Sequence, residues 1–214
     1  MEGILIPNLI ILIITLFVAS LLDLRYRLVP LYTWVPALLV ITICNYFYYC
    51  SLPLDLALPQ FLVTVFFAGL AFAFVAFRFY GGADAIAVML ISLAFPVNPL
   101  SGQMQFITLH VFVIACAIVL VWSLLNLMKN AEAGHSGNKE QMIFGVPVAP
   151  DRLQDVKGWV WGMKDENGER LYVDGVTERD MEALKGQNEV WVILAFPFMV
   201  ALFIALLLAV FLAG

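Results

Sequence analysis

Apolar residues run along the chain in six blocks: Ile4–Leu22, Leu31–Tyr49, Phe61–Phe77, Ala85–Phe95, Phe106–Leu127 and Val190–Ala213. A membrane-crossing helix needs about 20 mostly apolar residues. Five blocks come close to that length. The fourth is short and ends at Pro96-Val97-Asn98-Pro99, a stretch rich in turn formers. No long internal repeat is visible. The pattern predicts an all-α membrane protein with six transmembrane helices.

One long polar segment, 129–189, separates the fifth block from the sixth. Gly134-His135-Ser136-Gly137-Asn138 has the composition of a flexible linker. Trp159–Lys164 and Glu169–Val173 flank Asp165-Glu166-Asn167-Gly168, where Asn-Gly supplies the positive φ of a β-hairpin turn. Trp159 and Trp161 share one face of that hairpin and are expected to pack rather than stand exposed. Thr177-Glu178-Arg179-Asp180 can cap a short helix that stops at Gly186. A small α+β insertion is therefore expected before the last helix. The implied division is a five-helix region over 1–128, a polar domain over 129–189 and a sixth helix over 190–214.

Composition agrees with a multi-span protein: 63% of the 214 residues are hydrophobic and 13% are charged. The only charge before the first block is Glu2, where a cleavable signal peptide carries Lys or Arg. The eleven Lys and Arg residues all fall after blocks one, three and five, which share one side if six spans are counted. The positive-inside rule makes that side cytoplasmic and leaves both termini outside. Removing the short fourth block would break this segregation. The polar segment carries eight basic and twelve acidic residues, a net charge of −4. Solvated surface is its plain reading. Cys44, Cys50 and Cys116 are scattered, with no C-x-x-C pair or Cys/His cluster to suggest zinc or a disulfide framework. No metal, cofactor or nucleic-acid partner is implied.

Two carboxylates break the apolar pattern. Asp23 closes the first block in Leu21-Leu22-Asp23-Leu24-Arg25, and Asp84 opens the fourth in Gly81-Gly82-Ala83-Asp84-Ala85. Each has a plain alternative. Asp23 can pair with Arg27 at i+4, and Asp84 can cap a helix after a glycine turn. Both fall on the cytoplasmic side, however. Counting inward from Pro96 puts Asp84 roughly 18 Å along a helix, short of the ~30 Å apolar core. Carboxylates at membrane depth are costly and mark functional sites. Gly81 and Gly82 remove side chains from the approach and let the backbone turn. Two carboxylates that meet cannot both ionise cheaply, so they share a proton and can do acid–base hydrolysis.

These residues resemble a family. Gly81-Gly82-Ala83-Asp84 is similar to the Gly-x-hydrophobic-Asp form of the GxGD intramembrane aspartyl proteases. Asp23-Leu24-Arg25-Tyr26-Arg27-Leu28-Val29-Pro30 is similar to the first-aspartate segment of type IV prepilin peptidases. Ala83, the large polar segment and a final block opening Val190-Trp191-Val192 and containing Phe196-Pro197-Phe198 resemble the archaeal preflagellin/prepilin peptidases most. The resemblance implies a membrane aspartyl endopeptidase that cleaves class III signal peptides from archaellin or type IV pilin-like precursors at the cytoplasmic face. Asp23 and Asp84 would be the catalytic pair, with Gly81, Gly82 and Ala83 as motif backbone. Bacterial relatives often carry tetracysteine motifs and N-methylate the new terminus; those cysteines are missing here, so peptidase activity alone is expected. The implied precursors carry basic residues before the cleavage site, which Asp165, Glu166 and Glu169 on the hairpin turn could bind. Pro36-Ala37-Leu38 matches a presenilin-type signature but precedes Asp84, and is taken as chance.

Two other classes stay open. A proton-coupled transporter or channel could use Asp23 and Asp84 as relay groups, although the internal repeats common in transporters are missing. A structural membrane subunit could use the polar segment for docking.

Overall fold

The computed structural model describes residues 5–26, 28–76, 82–96, 107–156, 158–164, 170–184, 189–194 and 198–212. The protein is mostly helical, with a small antiparallel sheet late in the chain. Among the described residues, four helical stretches are long and apolar enough to cross a membrane: Ile6–Tyr26, Leu31–Cys50, Leu54–Ala73 and Ile107–Glu132. Two apolar helices are shorter. The chain divides into two compact units, residues 1–118 with 197–214, and residues 119–196.

In the first unit, α1 spans Ile6–Tyr26, α2 Val35–Cys50, α3 Leu54–Ala76, α4 Gly82–Ala94 and α8 Phe198–Leu212, and α5 begins at Ile107 and runs to Glu132. A 3₁₀ turn, Leu31–Trp34, leads into α2, with Pro36 in its first turn, where a missing N–H is harmless. Asp55 lies in the first turn of α3, where the helix dipole favours a carboxylate.

The helices are patterned for lipid. On α1, Asn8, Leu12, Thr15, Leu16, Ala19 and Ser20 are buried, while Ile6, Ile10, Ile14, Phe17, Val18 and Leu21 are exposed. The polar residues Asn8, Thr15 and Ser20 share the inward face with leucines and an alanine, and the outward face is bulky and apolar. Packing, not water exclusion, must hold such helices together, so inward hydrogen bonds count. Ser20 Oγ donates to the Met199 carbonyl on α8 (3.1 Å), and Phe17 meets Phe203 at 5.8 Å. Ser92 Oγ on α4 donates to the Thr64 carbonyl on α3 (2.9 Å). These contacts run α8 antiparallel to α1.

The second unit holds α6 (Lys139–Phe144), β1 (Gly145–Val148), β2 (Gly158–Lys164), β3 (Arg170–Tyr172), α7 (Glu178–Leu184) and β4 (Val190–Leu194). The strands lie in the order β1-β4-β2-β3, and every neighbouring pair is antiparallel. Leu153, Val160, Val173, Leu184, Val190 and Val192 form its core. The hairpin strands β2 and β3 pair as the pattern predicts, with Trp159 opposite Tyr172; the turn 165–169 lies outside the described residues. The register shifts along β2, where Gly162 takes φ +78°, a bulge geometry. Trp159 stacks edge-on against Tyr172 at 5.6 Å but stays 36% exposed, so the pair packs only in part.

Two expectations change. Residues 190–194, assigned by hydropathy to the last span, form the strand β4. Val-Trp-Val-Ile-Leu is β-branched and aromatic, and here it pairs on both sides. Residues 135–138, with the composition of a flexible linker, are tied down. His135 Nδ1 lies 3.2 Å from Glu189 Oε2, and Asn138 forms a capping box with Gln141. Thr177 and Asp180 make the expected box at α7: the Thr177 backbone and hydroxyl both donate to Asp180 Oδ2, at 2.9 and 2.7 Å.

Gly158 is required by close approach. A Cβ there would run into the Ile193 carbonyl oxygen and come within 2.8 Å of Val192 Cγ1. Gly158→Ala should therefore destabilise the sheet by about 1–3 kcal/mol. Limited proteolysis of the 119–196 unit should show faster cutting in the variant.

Candidate active site

Asp84 is the third residue of α4, inside its first turn, and is half-buried. It is a helical residue, not the cap. Asp23 lies in the last turn of α1 and is also half-buried. Arg25, exposed in the same turn, stands over the Tyr26 ring at 5.2 Å, a cation–π contact suited to a membrane edge. Arg27 and Gly81 lie outside the described residues.

The far end of α4 explains where Asp84 sits. A helix of 13 residues is only ~20 Å long, short of the ~30 Å apolar core. The last carbonyls of any helix lack intrahelical donors, and lipid offers none. Here side-chain amides supply them. Asn8 Nδ2 on α1 donates to the Ala94 carbonyl (3.2 Å) and to Asn45 Oδ1 (3.0 Å). Asn45 Nδ2 on α2 donates to the Leu93 carbonyl (2.6 Å). Asn8 is fully buried.

These bonds place the start of α1 and the end of α2 beside the end of α4, so α1 and α4 run antiparallel. From the clamp, Asp23 lies 15 residues along α1, about 22 Å, and Asp84 lies ten residues along α4, about 15 Å. Both aspartates are thus at the same end of the helical unit, on two helices that pack together. Ser20, one turn before Asp23, bonds to the first turn of α8, so α8 also begins at this end. Two half-buried carboxylates thus share one end of the helical unit, one ending a helix and one beginning another.

Gly82 is the first residue of α4 and exposed, and a Cβ added to it would meet nothing within 4 Å. Among the described residues, the space beside Gly82 is open. Further along α4, Val88 joins Phe67, Leu70, Ala71, Thr108, Leu109 and Phe112 around an apolar cavity of about 130 Å³. The proposed peptide-binding residues Asp165, Glu166 and Glu169 lie outside the described residues. Their hairpin carries a separate pocket of about 310 Å³ lined by Glu140, Trp159, Trp161, Met163, Lys164 and Ile193 among others.

Sequence reasoning passed over Asn8 and Asn45. Their signal was available, since amides inside apolar blocks must find partners.

Residues 10–124, just over half of the chain and spanning both aspartates, match the type IV leader peptidase family, to which the chain belongs. Members of that family are aspartic-type prepilin peptidases, and the protein is an enzyme of this type. With its several apolar helices it is a multi-pass membrane protein. A comparison with curated proteins gave no match.

Because nothing among the described residues opposes a Cβ at Gly82, and Ala is the better helix former by about 1 kcal/mol, Gly82→Ala should melt at or slightly above the wild-type temperature in detergent. A drop of several degrees would show that the space there is not open.

Proposed function

We propose that Asp23 and Asp84 are the catalytic pair of an endopeptidase that removes class III signal peptides from archaellin or type IV pilin-like precursors at the cytoplasmic face of the membrane. The observation that carries this reading is their shared position at one end of the helical unit, inside the part of the chain matched to the family. Family membership favours hydrolysis over the ion-relay alternative.

The chemistry follows from the two helix ends. Asp84 sits where the dipole favours negative charge, and Asp23 where it does not. Asp84 as carboxylate takes a proton from water, and the hydroxide oxygen adds to the scissile carbonyl carbon. Asp23 as carboxylic acid hydrogen-bonds the carbonyl oxygen as it gains charge. The tetrahedral carbon then expels the amine, which takes up a proton from the pair as the C–N bond breaks. One water is consumed, and the pair ends with the single proton it began with.

Six spans give the sidedness. Treating α4 and α8 as short crossings keeps every Lys and Arg on the side of the two aspartates, with both termini outside. Asp165, Glu166 and Glu169 then add to an acidic cytoplasmic surface that attracts a basic leader over roughly one Debye length, about 8 Å.

Asp23→Asn and Asp84→Asn should each lower precursor cleavage by about 10²–10⁴-fold or more, measured as loss of the size shift on gels, with membrane insertion intact. Near wild-type turnover in either variant would rule out the paired mechanism. Arg25→Ala should do much less. In a background without the native cysteines, cysteines introduced at Asn138 and Asn167 should label only from the cytoplasm, and one at Asn98 only from outside. Labelling of 98 and 167 from the same side would refute six spans.

A further inference from the structure

We propose that Asn8 and Asn45 are positioning residues for Asp84, acting along the length of α4. The inference rests on Asp84 being catalytic. It is carried by the amide clamp on the Leu93 and Ala94 carbonyls, which are the last two residues of a helix whose first turn holds Asp84.

Two donors on two different helices fix more than one donor can. A single amide could follow α4 as it slid or turned. Asn8 on α1 and Asn45 on α2 hold adjacent carbonyls, which are set about 100° apart around the helix axis. Asn8 also donates to Asn45, so the two amides cannot move independently. Axial position and rotation of α4 are therefore both set. Ser92, bonded to the Thr64 carbonyl on α3, adds a lateral tether on the third neighbouring helix.

The consequence at the other end is geometric. If the clamp is lost, the buried carbonyls must find other donors, and lipid has none. The available response is a slip of α4. A slip of one residue moves Asp84 by about 1.5 Å and turns it by about 100°. A displacement of that order is enough to separate a catalytic pair.

The test replaces Asn45 with Leu, which is near in volume but has no donor, and with Gln, which keeps an amide. Asn8→Leu is the companion variant. Tyr48→Phe is the control: it removes a hydrogen bond to Gln60 at the same end of the bundle without touching α4. Cleavage of a pilin-like precursor is measured well below the melting temperature. N45L and N8L should lose about tenfold or more in kcat with KM changed less than twofold, Y48F should cleave as wild type, and N45Q should recover part of the loss. A fall in Y48F equal to that in N45L would mean general destabilisation and overturn the proposal.

A second readout needs no activity. With the native cysteines replaced, D23C and D84C are introduced together and their cross-linking rate is measured with and without N45L. A change of severalfold supports the coupling, and an unchanged rate overturns it. If the wild type cleaves no precursor while N45L still alters cross-linking, the peptidase reading fails and the mechanical link along α4 stands.

Discussion

The last carbonyls of a helix need donors from outside it, an apolar surrounding offers none, and the placement of α4 in this protein is one answer to that constraint. The Leu93 and Ala94 carbonyls take their hydrogen bonds from Asn8 and Asn45 rather than from water. Several features depend on it. The fourth helix can be as short as 13 residues because its end is satisfied in place. Its start, with Asp84, is then held at the end of the unit where α1 finishes with Asp23. The second unit uses the same device. Asn126 and Asn130, one turn apart on α5, donate to the Ile143, Met142 and Gly145 carbonyls and close the end of α6, at 2.8 to 3.1 Å. In both cases asparagine side chains on a long helix terminate a short one.

The membrane helices also separate two roles that water-soluble proteins usually combine. Outward faces carry Ile, Leu, Phe and Val in numbers, and their exposure is suited to lipid. Inward faces add to their buried leucines and isoleucines small and polar groups that let helices approach: Ala19 and Ser20 on α1, Ala37 on α2, Ala87 and Ser92 on α4, Ala201 and Ala205 on α8.

Much of this was legible in the sequence. The apolar blocks overlap the apolar helices found among the described residues, and the capping box at Thr177 obeys local chemistry that needs no tertiary context. The two aspartates stood out because charge is rare in apolar blocks. What escaped was decided by partners distant in sequence. Val190–Leu194 is as apolar as a span, and only pairing with β1 and β2 makes it a strand. The stretch around His135 looks loose until Trp191 fills the space between Gly137 and Gly145, approaching to about 3 Å the positions their Cβ atoms would take. Asn8 and Asn45 read as isolated polar residues because the carbonyls that they serve lie 86 and 48 residues away.

The strand order of the small sheet bears on how the chain is made. β4, last in sequence, is flanked on one side by β1 and on the other by β2, so it joins the sheet's two halves. The β2–β3 hairpin can form as soon as it leaves the ribosome, but β1 pairs with β4 and so waits until residue 194 has emerged. At a synthesis rate of roughly 5–20 residues per second, α8 follows within seconds. Completion of the sheet and arrival of the last apolar helix are therefore nearly simultaneous events in biogenesis, and a nascent chain stalled before β4 would present an open sheet edge to the chaperones that meet it.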